Sequence, residues 1–153
     1  MLKKLLLTAF LALGLSAASL EVDSNIEDIT IKDQFEKEHK LDANVKTILF
    51  ASDKGTSDLL RDYLLPLSEN KNILEENGAV YVADISGMPS LISKFIALPK
   101  MKKYPFSVML LDDSNKDNFT KEDGKIIVYS IEDGKVSKIE KISTSEELAN
   151  IIK

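Results

Sequence analysis

The 153-residue chain contains no cysteine, a single histidine and a single arginine. Without cysteine it can form no disulfide, carry no thiol nucleophile and build no thiolate metal site. The lone His39 has no second ligand or nucleophile beside it, so it supports neither a catalytic triad nor a zinc site. We expect His39 to be exposed and Arg61 to form a surface ion pair on a helix. Thiol-disulfide and thiol peroxidase activity are therefore excluded, and we expect no cofactor and no metal centre.

The chain also has no excess of positive charge, because it contains 20 lysine and arginine residues and 25 aspartate and glutamate residues. Nucleic acids and anionic membranes both require clustered positive charge on the proteins that bind them. The overall charge therefore disfavours both as partners. With 44% hydrophobic and 29% charged residues, the composition is typical of one ordinary globular domain with a real core.

The first residues have the pattern of a secretory signal peptide. Lys3 and Lys4 precede a short apolar run over residues 5–15, and small residues follow it, with cleavage expected after Ala18. The run falls short of the roughly 20 residues needed to cross a bilayer, so we expect no stable membrane anchor after cleavage. The mature chain would carry a net charge of −7, and we expect it in the periplasm.

The rest of the chain is predicted to form one α/β domain over residues 29–153, preceded by a flexible lead-in over residues 19–28. The apolar stretch from Thr47 to Ser52 lacks alternation, as a strand covered on both faces would. A helix is predicted directly after it, with Thr56 or Ser57 as its N-cap. In α/β domains this kind of strand–helix junction is where ligands bind.

The remaining predicted elements alternate between strands and helices. They are a hairpin over residues 29–41, a second helical piece over 67–76, a buried strand over 79–84, a helix after Pro89, a loop over 98–105, a strand over 106–111, a polar loop over 112–124, a hairpin over 125–142 and a closing helix. Pro66 should kink or end the first helix. Asp133 and Gly134 predict the turn of the last hairpin, and Thr144 with Glu147 predicts a capping box at the start of the closing helix. The helix after Pro89 has Leu91, Ile92, Phe95 and Ile96 on one face, which predicts an amphipathic helix.

This order of elements, with a proline at the start of the third strand, resembles the thioredoxin-like fold. The resemblance covers residues 29–153 and includes the run from Asp33 to Phe35, which is similar to that of exported peroxiredoxin-like proteins. It implies a three-layer α/β sandwich, with a mixed central sheet flanked by helices and an N-terminal edge hairpin. It also implies a cis proline at Pro105, facing the start of the first helix. The redox Cys-x-x-Cys of the family corresponds to the run from Asp53 to Thr56, where neither cysteine is present.

The start of the first helix is one candidate binding site, formed by Asp53, Lys54, Gly55, Thr56 and Ser57. Amides at a helix start, together with two hydroxyls, can hold a phosphate or carboxylate. Lys54 would favour such an anion, and Asp53 would oppose it. The simpler interpretation is a capped helix start, whose hydroxyls bond the amides of the helix itself.

Tyr104, Pro105 and the neighbouring Lys102 are a second candidate site. The thioredoxin-like resemblance implies that the backbone of residue 104 is free to pair with an extended peptide. A cluster of lysines lies beside this loop and could attract an acidic peptide or a lipid headgroup. The cluster comprises Lys94, Lys100, Lys102 and Lys103. The simpler interpretation is a proline at the start of a strand, beside a solvated surface.

Asp113, Asn115 and Asp117 have the spacing that begins a calcium loop. Asn118 and Gly124 stand where such a loop needs glycine and a bidentate glutamate, so a polar surface loop is the better interpretation.

Three functions remain open from the sequence. The one we favour is an exported thioredoxin-fold protein without redox activity, which binds an envelope protein or peptide. An alternative is an enzyme or sensor that binds a small anion or metal at the first strand–helix junction. A third is a structural subunit of an envelope complex, with the edge strand or the loop over residues 98–103 as its contact surface.

Overall fold

The computed structural model describes residues 19–153, so the signal peptide predicted over residues 1–18 lies outside the described residues. Seven strands form one sheet: β1 (Thr30–Asp33), β2 (Glu38–Lys40), β3 (Thr47–Ala51), β4 (Ala79–Asp84), β5 (Val108–Leu111), β6 (Ile126–Glu132) and β7 (Lys135–Ile142). The helices are α1 (Lys54–Leu67), α2 (Ile73–Glu76), α3 (Ser90–Ile92), a π-helical turn (Ser93–Ala97), α4 (Leu98–Met101), a 3-10 turn (Lys116–Asn118) and α5 (Ser145–Ala149).

The strand order across the sheet is β2-β1-β5-β4-β3-β6-β7. Strands β3, β4 and β5 run parallel, and the others pair antiparallel to their neighbours. The central strand β3 pairs on both sides, so that Phe50 lies between Val82 of β4 and Ile127 of β6. The predicted mixed sheet with helices and an edge hairpin is confirmed.

Side chains from alternate positions of the strands build two separate cores, one on each face of the sheet. On one face, Leu49 and Ala51 of β3 pack with residues of α1, α2 and α5. On the other face, Ile48 and Phe50 pack with strand and loop residues only, so no helical residue of the described part of the chain enters this second core. Both faces of β3 are buried, which explains its unbroken apolar sequence.

Residues 19–28, expected to be a flexible lead-in, pack against this second face. Leu20 and Ile26 are buried in the core, and their amides donate to the carbonyl oxygens of Asn118 and Gly134 at 2.8 and 2.9 Å. Asn25 also forms an isolated antiparallel bridge to Lys135. The segment is held because it covers apolar side chains that no helix reaches on this face.

Several helix boundaries differ from those predicted. The N-cap of α1 is Asp53 rather than Thr56 or Ser57, and the helix continues to Leu67 with Pro66 in its last turn. The second helical piece shortens to Ile73–Glu76. Residues 98–101, expected in a loop, are helical, and β5 begins two residues later than predicted. A proline near either end of a helix leaves most of the helical hydrogen bonds intact, which explains why Pro66 does not end α1 earlier.

The C-terminal elements agree with the predicted turns. Asp133 and Gly134 connect β6 to β7 with φ angles of 52° and 78°, the left-handed conformation that a tight hairpin turn requires. Thr144 caps α5 by accepting from the amide of Glu147 at 3.2 Å, and the Glu147 carboxylate accepts from the amide of Ser143 at 3.2 Å. Among the described residues, no helix is long and apolar enough to cross a membrane.

Candidate functional site

The junction between β3 and α1 is held by the side chain of Asp53. Its Oδ1 accepts from the amide and the hydroxyl of Thr56 at 2.8 and 2.9 Å, while its Oδ2 accepts from the amide of Gly124 at 2.7 Å. Burial acts to raise the pKa of Asp53, but these hydrogen bonds, led by that from Gly124, hold the pKa below its usual value. One ionised carboxylate thus joins the helix start to the end of the loop over residues 112–124.

This geometry matches the simpler of the two interpretations given for the junction. The Thr56 hydroxyl and amide are both taken by Asp53, and the amide of Ser57 donates to the carbonyl oxygen of Asp53 at 3.1 Å. A negative charge already occupies the position that a phosphate or carboxylate would take. The junction is therefore a capped helix start, and an anion would have to displace Asp53.

A pocket of about 420 Å³ opens beside this junction, at the carboxyl ends of β3 and β4. It brings together part of each of the two sites that the sequence suggested separately: Asp53, Lys54 and Ser57 of the first and Tyr104 of the second. The other predicted site residues do not line it; they are Gly55, Thr56, Lys102 and Pro105. The wall facing α1 is almost wholly apolar and is formed by Ile85, Met88, Ile92, Ile96, Ala97 and Met101.

Polar groups stand at the bottom of this pocket. The Ser52 hydroxyl is buried and has no hydrogen-bond partner among the described residues. Burial raises the pKa of Tyr81 to about 12, so its hydroxyl stays protonated at neutral pH. Of these two buried hydroxyls, that of Ser52 is therefore the unpaired one, since the Tyr81 hydroxyl donates to the carbonyl oxygen of Ser57 at 3.5 Å.

Most charges around the pocket are paired. Arg61 forms the ion pair that we expected, since its guanidinium contacts Asp58 and Asp62, each at 2.9 Å, although the side chain is partly buried. Lys54 also contacts Asp58, at 2.8 Å, and the ion pair lowers the pKa of that carboxyl. Lys100 also lines the pocket and forms no ion pair with any other described residue.

A further ion pair closes the rim of the pocket. Lys121 reaches Asp84 at the end of β4, with 2.5 Å between its Nζ and the carboxylate Oδ2. Burial acts to raise the pKa of Asp84, but the contact with Lys121 and the hydrogen bonds from Ser86 keep it below its usual value. This ion pair could not be predicted from the sequence, because Asp84 and Lys121 are 37 residues apart in the chain.

The backbone at Tyr104 differs from the arrangement that the resemblance implied. The peptide bond to Pro105 is trans, and the amide of Tyr104 donates to the carbonyl oxygen of Met101 at 3.0 Å. That amide is therefore not free to pair with a peptide, since it closes the turn after α4. The side chain still reaches the pocket, and its ring packs on that of Phe106 with centroids 5.3 Å apart.

Sequence reasoning missed the role of Gln34, which joins the edge hairpin to this wall of the pocket. The side chain is buried; its amide donates to the carbonyl oxygens of Met101 and Phe106 at 3.2 and 2.8 Å, and its oxygen accepts from the amide of Val108 at 2.8 Å. Gln34 lies in the turn that connects β1 to β2, and a polar residue in a turn could not name these distant partners.

His39, expected to be exposed, is partly buried and bonded to Asp33, with 2.7 Å between its Nε2 and the Oδ2 of the carboxylate. Burial acts to raise the pKa of Asp33, but His39 and the amides of Phe35 and Lys37 lower it below its usual value. The pair stabilises the edge hairpin and lies outside the pocket lining.

The helix after Pro89 has its apolar side chains at the predicted spacing, but they face solvent. Leu91, Phe95 and Ile96 are 69%, 65% and 64% exposed, and Ile92 is 45% exposed. Met101 is the only buried residue of α3, the π-helical turn and α4. Helical spacing predicted the shared face, but it could not say what would cover that face.

In the loop over residues 112–124, the residues with the spacing of a calcium loop make local hydrogen bonds. Asp113 accepts from Lys116 at 3.1 Å, and the Asn115 side chain accepts from the amide of Asp112 at 2.8 Å. No group of three or more acidic, histidine or cysteine side chains suited to a metal ion occurs among the described residues. The loop also supplies Phe119, which packs on Phe50 in the second core.

No protein-family model and no curated protein matches this chain. Solved structures do. The thioredoxin domain of a thiol-disulfide oxidoreductase from Bacteroides vulgatus matches with a TM-score of 0.52 and 16% identity, over 88% of this chain and 100% of that one. Peroxidoxin BcpB from Mycobacterium tuberculosis matches with a TM-score of 0.54 and 14% identity, over 86% and 94%. A putative thiol:disulfide interchange protein DsbE from Chlorobium tepidum matches with a TM-score of 0.54 and 14% identity, over 86% and 95%.

Each of these likenesses covers 86% or more of this chain. At 14% to 16% identity they show the fold alone, and they do not carry the activities of those proteins over to this chain. The described part of this protein therefore has the thioredoxin-like fold, built from a sequence that contains no cysteine.

Proposed function

We propose that this protein is an exported, redox-inactive member of the thioredoxin-like fold that binds an extended segment of another envelope protein. The observation that carries the proposal is the pocket of about 420 Å³ beside Asp53 and Lys54. It stands where the resemblance puts the redox cysteines of thioredoxin-like proteins. Its volume falls within the range of about 300–1,000 Å³ typical of ligand pockets.

The apolar wall of the pocket supports a protein segment as the ligand. Met88, Ile92 and Ile96 are partly exposed in the free protein, so a bulky apolar side chain entering the pocket would remove their apolar surface from water. The buried Ser52 hydroxyl offers a hydrogen bond to a backbone or side-chain group of the ligand. A peptide supplies both kinds of group.

The charges at the pocket mouth favour acidic residues next to that apolar side chain. Lys100 has no ion pair with a described residue, and Lys102 and Lys103 follow it in the exposed turn after α4. An acidic neighbour in the peptide would be attracted to these ammonium groups. A small free anion at the helix start is less well supported, because Asp53 already fills that place.

The test is selection of peptides from a displayed random library on the chain beginning at Ser19. Each round is counter-selected on Ala97→Phe, a variant that puts a ring into the pocket wall. Ala149→Phe serves as the matched control, since it adds the same ring at an exposed position of α5 outside the pocket lining. Titration calorimetry then measures the affinity of each selected peptide for all three proteins.

We expect peptides with one bulky apolar residue flanked by aspartate or glutamate. They should bind the parent chain and Ala149→Phe equally, and Ala97→Phe at least about tenfold more weakly, since the ring excludes an apolar side chain from the pocket. The proposal is wrong if no peptide is enriched over the counter-selection, or if the selected peptides bind Ala97→Phe as tightly as the parent.

The proposed export has its own test. Expression of the full chain in a Gram-negative host, followed by mass spectrometry of the N-terminus, should find Ser19 as the first residue and the protein in the periplasmic fraction. Replacing Ala18 by a bulky residue should block this cleavage. Recovery of the intact chain in the cytoplasm would contradict export.

A further inference from the structure

The apolar residues after Pro89 divide into two rows with different surroundings. Ile92 and Ile96 line the pocket, whereas Leu91 and Phe95, four residues apart, do not. We call Leu91 and Phe95 the outer row. Their side chains are 69% and 65% exposed, although both are large and apolar. The outer row therefore takes no part in the pocket on which the proposed function rests.

The outer row lies in a stretch of sequence with unusual charge. Residues 85–111 contain four lysines and no aspartate or glutamate, although the whole chain has 25 acidic residues. Asp84 and Asp112 bound the stretch on either side. Within it, Lys94 lies over the Phe95 ring at 5.8 Å from the centroid, so positive charge and apolar surface adjoin directly. The net charge of the whole chain is negative, so it does not reveal this local cluster of lysines.

From these features we propose that the outer row and its lysines dock the protein peripherally on a membrane containing anionic lipid. The outer row is a pair of exposed side chains outside the pocket lining, and an exposed apolar helical face can insert among lipid headgroups. Lys94, Lys100, Lys102 and Lys103 supply the charge that attracts such a surface. The rest of the protein is acidic, which would turn this surface, and no other, toward the bilayer.

The proposal is tested by flotation of the chain beginning at Ser19, because residues 19–153 contain all the described strands, helices and core residues. One set of vesicles is phosphatidylcholine alone, and the other is phosphatidylcholine mixed with phosphatidylglycerol. The variants are Leu91→Ser with Phe95→Ser, and Lys94→Gln with Lys102→Gln. The control is Val22→Ser, since Val22 is 53% exposed and lies in the segment over residues 19–28, where the amide of Asp23 donates to the carbonyl oxygen of Val136 on β7 at 2.7 Å.

We expect binding to the anionic vesicles and little to phosphatidylcholine alone. Each lysine near the surface should contribute about fivefold in partitioning, so the double lysine variant should lose more than tenfold. The Leu91 and Phe95 double variant should lose about tenfold or more, and Val22→Ser should bind like the parent. Added salt should weaken binding, because it screens the lysines.

The proposal is overturned if the parent chain does not float with anionic vesicles, or if Val22→Ser lowers binding as much as the outer-row variant. It is also overturned if the outer-row variant floats normally but loses binding of the selected peptides, which would make the outer row part of a protein interface. Ala97→Phe should float like the parent. The experiment thereby distinguishes a protein whose pocket binds no peptide from one that does not dock on membranes.

Discussion

Two helical regions of this protein have the same apolar spacing and opposite environments. In α1, Leu60 and Leu64 are four residues apart and completely buried in the core. In the stretch after Pro89, Leu91 and Phe95 have the same spacing and are mostly exposed. Both regions connect parallel strands of one sheet, α1 from β3 to β4 and the other from β4 to β5. The comparison teaches that apolar periodicity identifies a face but not its partner.

The difference has a physical origin in what each region packs against. α1 lies over the face of the sheet where Leu49 and Ala51 point, and it shares that core with α5. The opposite face is already covered by residues 19–28 and by Phe119 from the loop before β6. The helical stretch after Pro89 instead lines the pocket together with Asp58 and Arg61 of α1, and Met101 is its one buried residue.

The largest expected effect comes from truncating one leucine in each region. Leu60→Ala should lower the free energy of unfolding by about 2–5 kcal/mol, because it leaves a cavity in a packed core. Leu91→Ala should change it by no more than about 0.5 kcal/mol, since the side chain is exposed. Urea unfolding followed by circular dichroism measures both. Equal losses would show that the stretch after Pro89 is packed in solution.

The second prediction concerns how the exposed stretch is held in place. Gln34→Ala should lower the free energy of unfolding by about 1–3 kcal/mol, because the amide of Val108 and the carbonyl oxygen of Phe106 would be left buried without partners. Lys37→Ala, at an exposed position of the same hairpin, is the control. If Gln34→Ala unfolds like the control, the polar link from the hairpin is not what fixes this wall.

The third prediction concerns the cap at the start of α1, whose contribution to stability is distinct from that of the buried face. Asp53→Asn should cost about 1 kcal/mol at neutral pH, since an NH2 group replaces one of the two oxygens that accept from Thr56 and Gly124 and the charge at the helix start is lost. The lowered pKa of Asp53 stabilises the fold above the ordinary pKa of an aspartate, and this contribution is lost as pH falls through the folded pKa. The parent should therefore lose stability below about pH 4, and Asp53→Asn should show a shallower loss.

Unfolding measured in urea at a series of pH values distinguishes these outcomes. Asp33, Asp84 and Asp112 also have lowered pKa values and will keep part of the pH dependence in the variant. If the free energy of unfolding depends on pH in Asp53→Asn as it does in the parent, an ionised Asp53 carboxylate does not cap the helix as described.

The smallest effect is expected on the exposed surface of α1. Lys54→Gln removes the ion pair between Lys54 and Asp58, which are four residues apart. The Lys54 side chain is 88% exposed. Exposed pairs of this kind contribute about 0.3–0.5 kcal/mol, so the midpoint of unfolding should hardly move. A loss comparable to that of Leu60→Ala would show that charge, not burial, holds α1 on the sheet.

Much of the fold could be predicted from the sequence. The unbroken apolar residues of β3 and β4 indicated strands buried on both faces, and the Asp133-Gly134 turn and the Thr144 cap were predicted at the right residues. The order of elements, which resembles the thioredoxin-like fold, predicted the mixed sheet with its edge hairpin. These features follow from local patterns and turn chemistry.

The candidate site was predicted only in part. Asp53, Lys54 and Tyr104 were singled out, and they do line one pocket. Their roles differ from those expected, because Asp53 takes the place of an anion and the amide of Tyr104 is already bonded. The Gln34 bridge and the Asp84–Lys121 pair were missed, since each joins residues far apart in the chain.

The sequence by itself determined that the protein has no thiol chemistry, since it contains no cysteine, and it indicated the strands, turns and caps. Only the tertiary structure decided which apolar helical face is buried, and that the helix start and Tyr104 share a pocket. The physical reason is that burial and pairing depend on which distant segments meet, and local sequence patterns do not encode those partners.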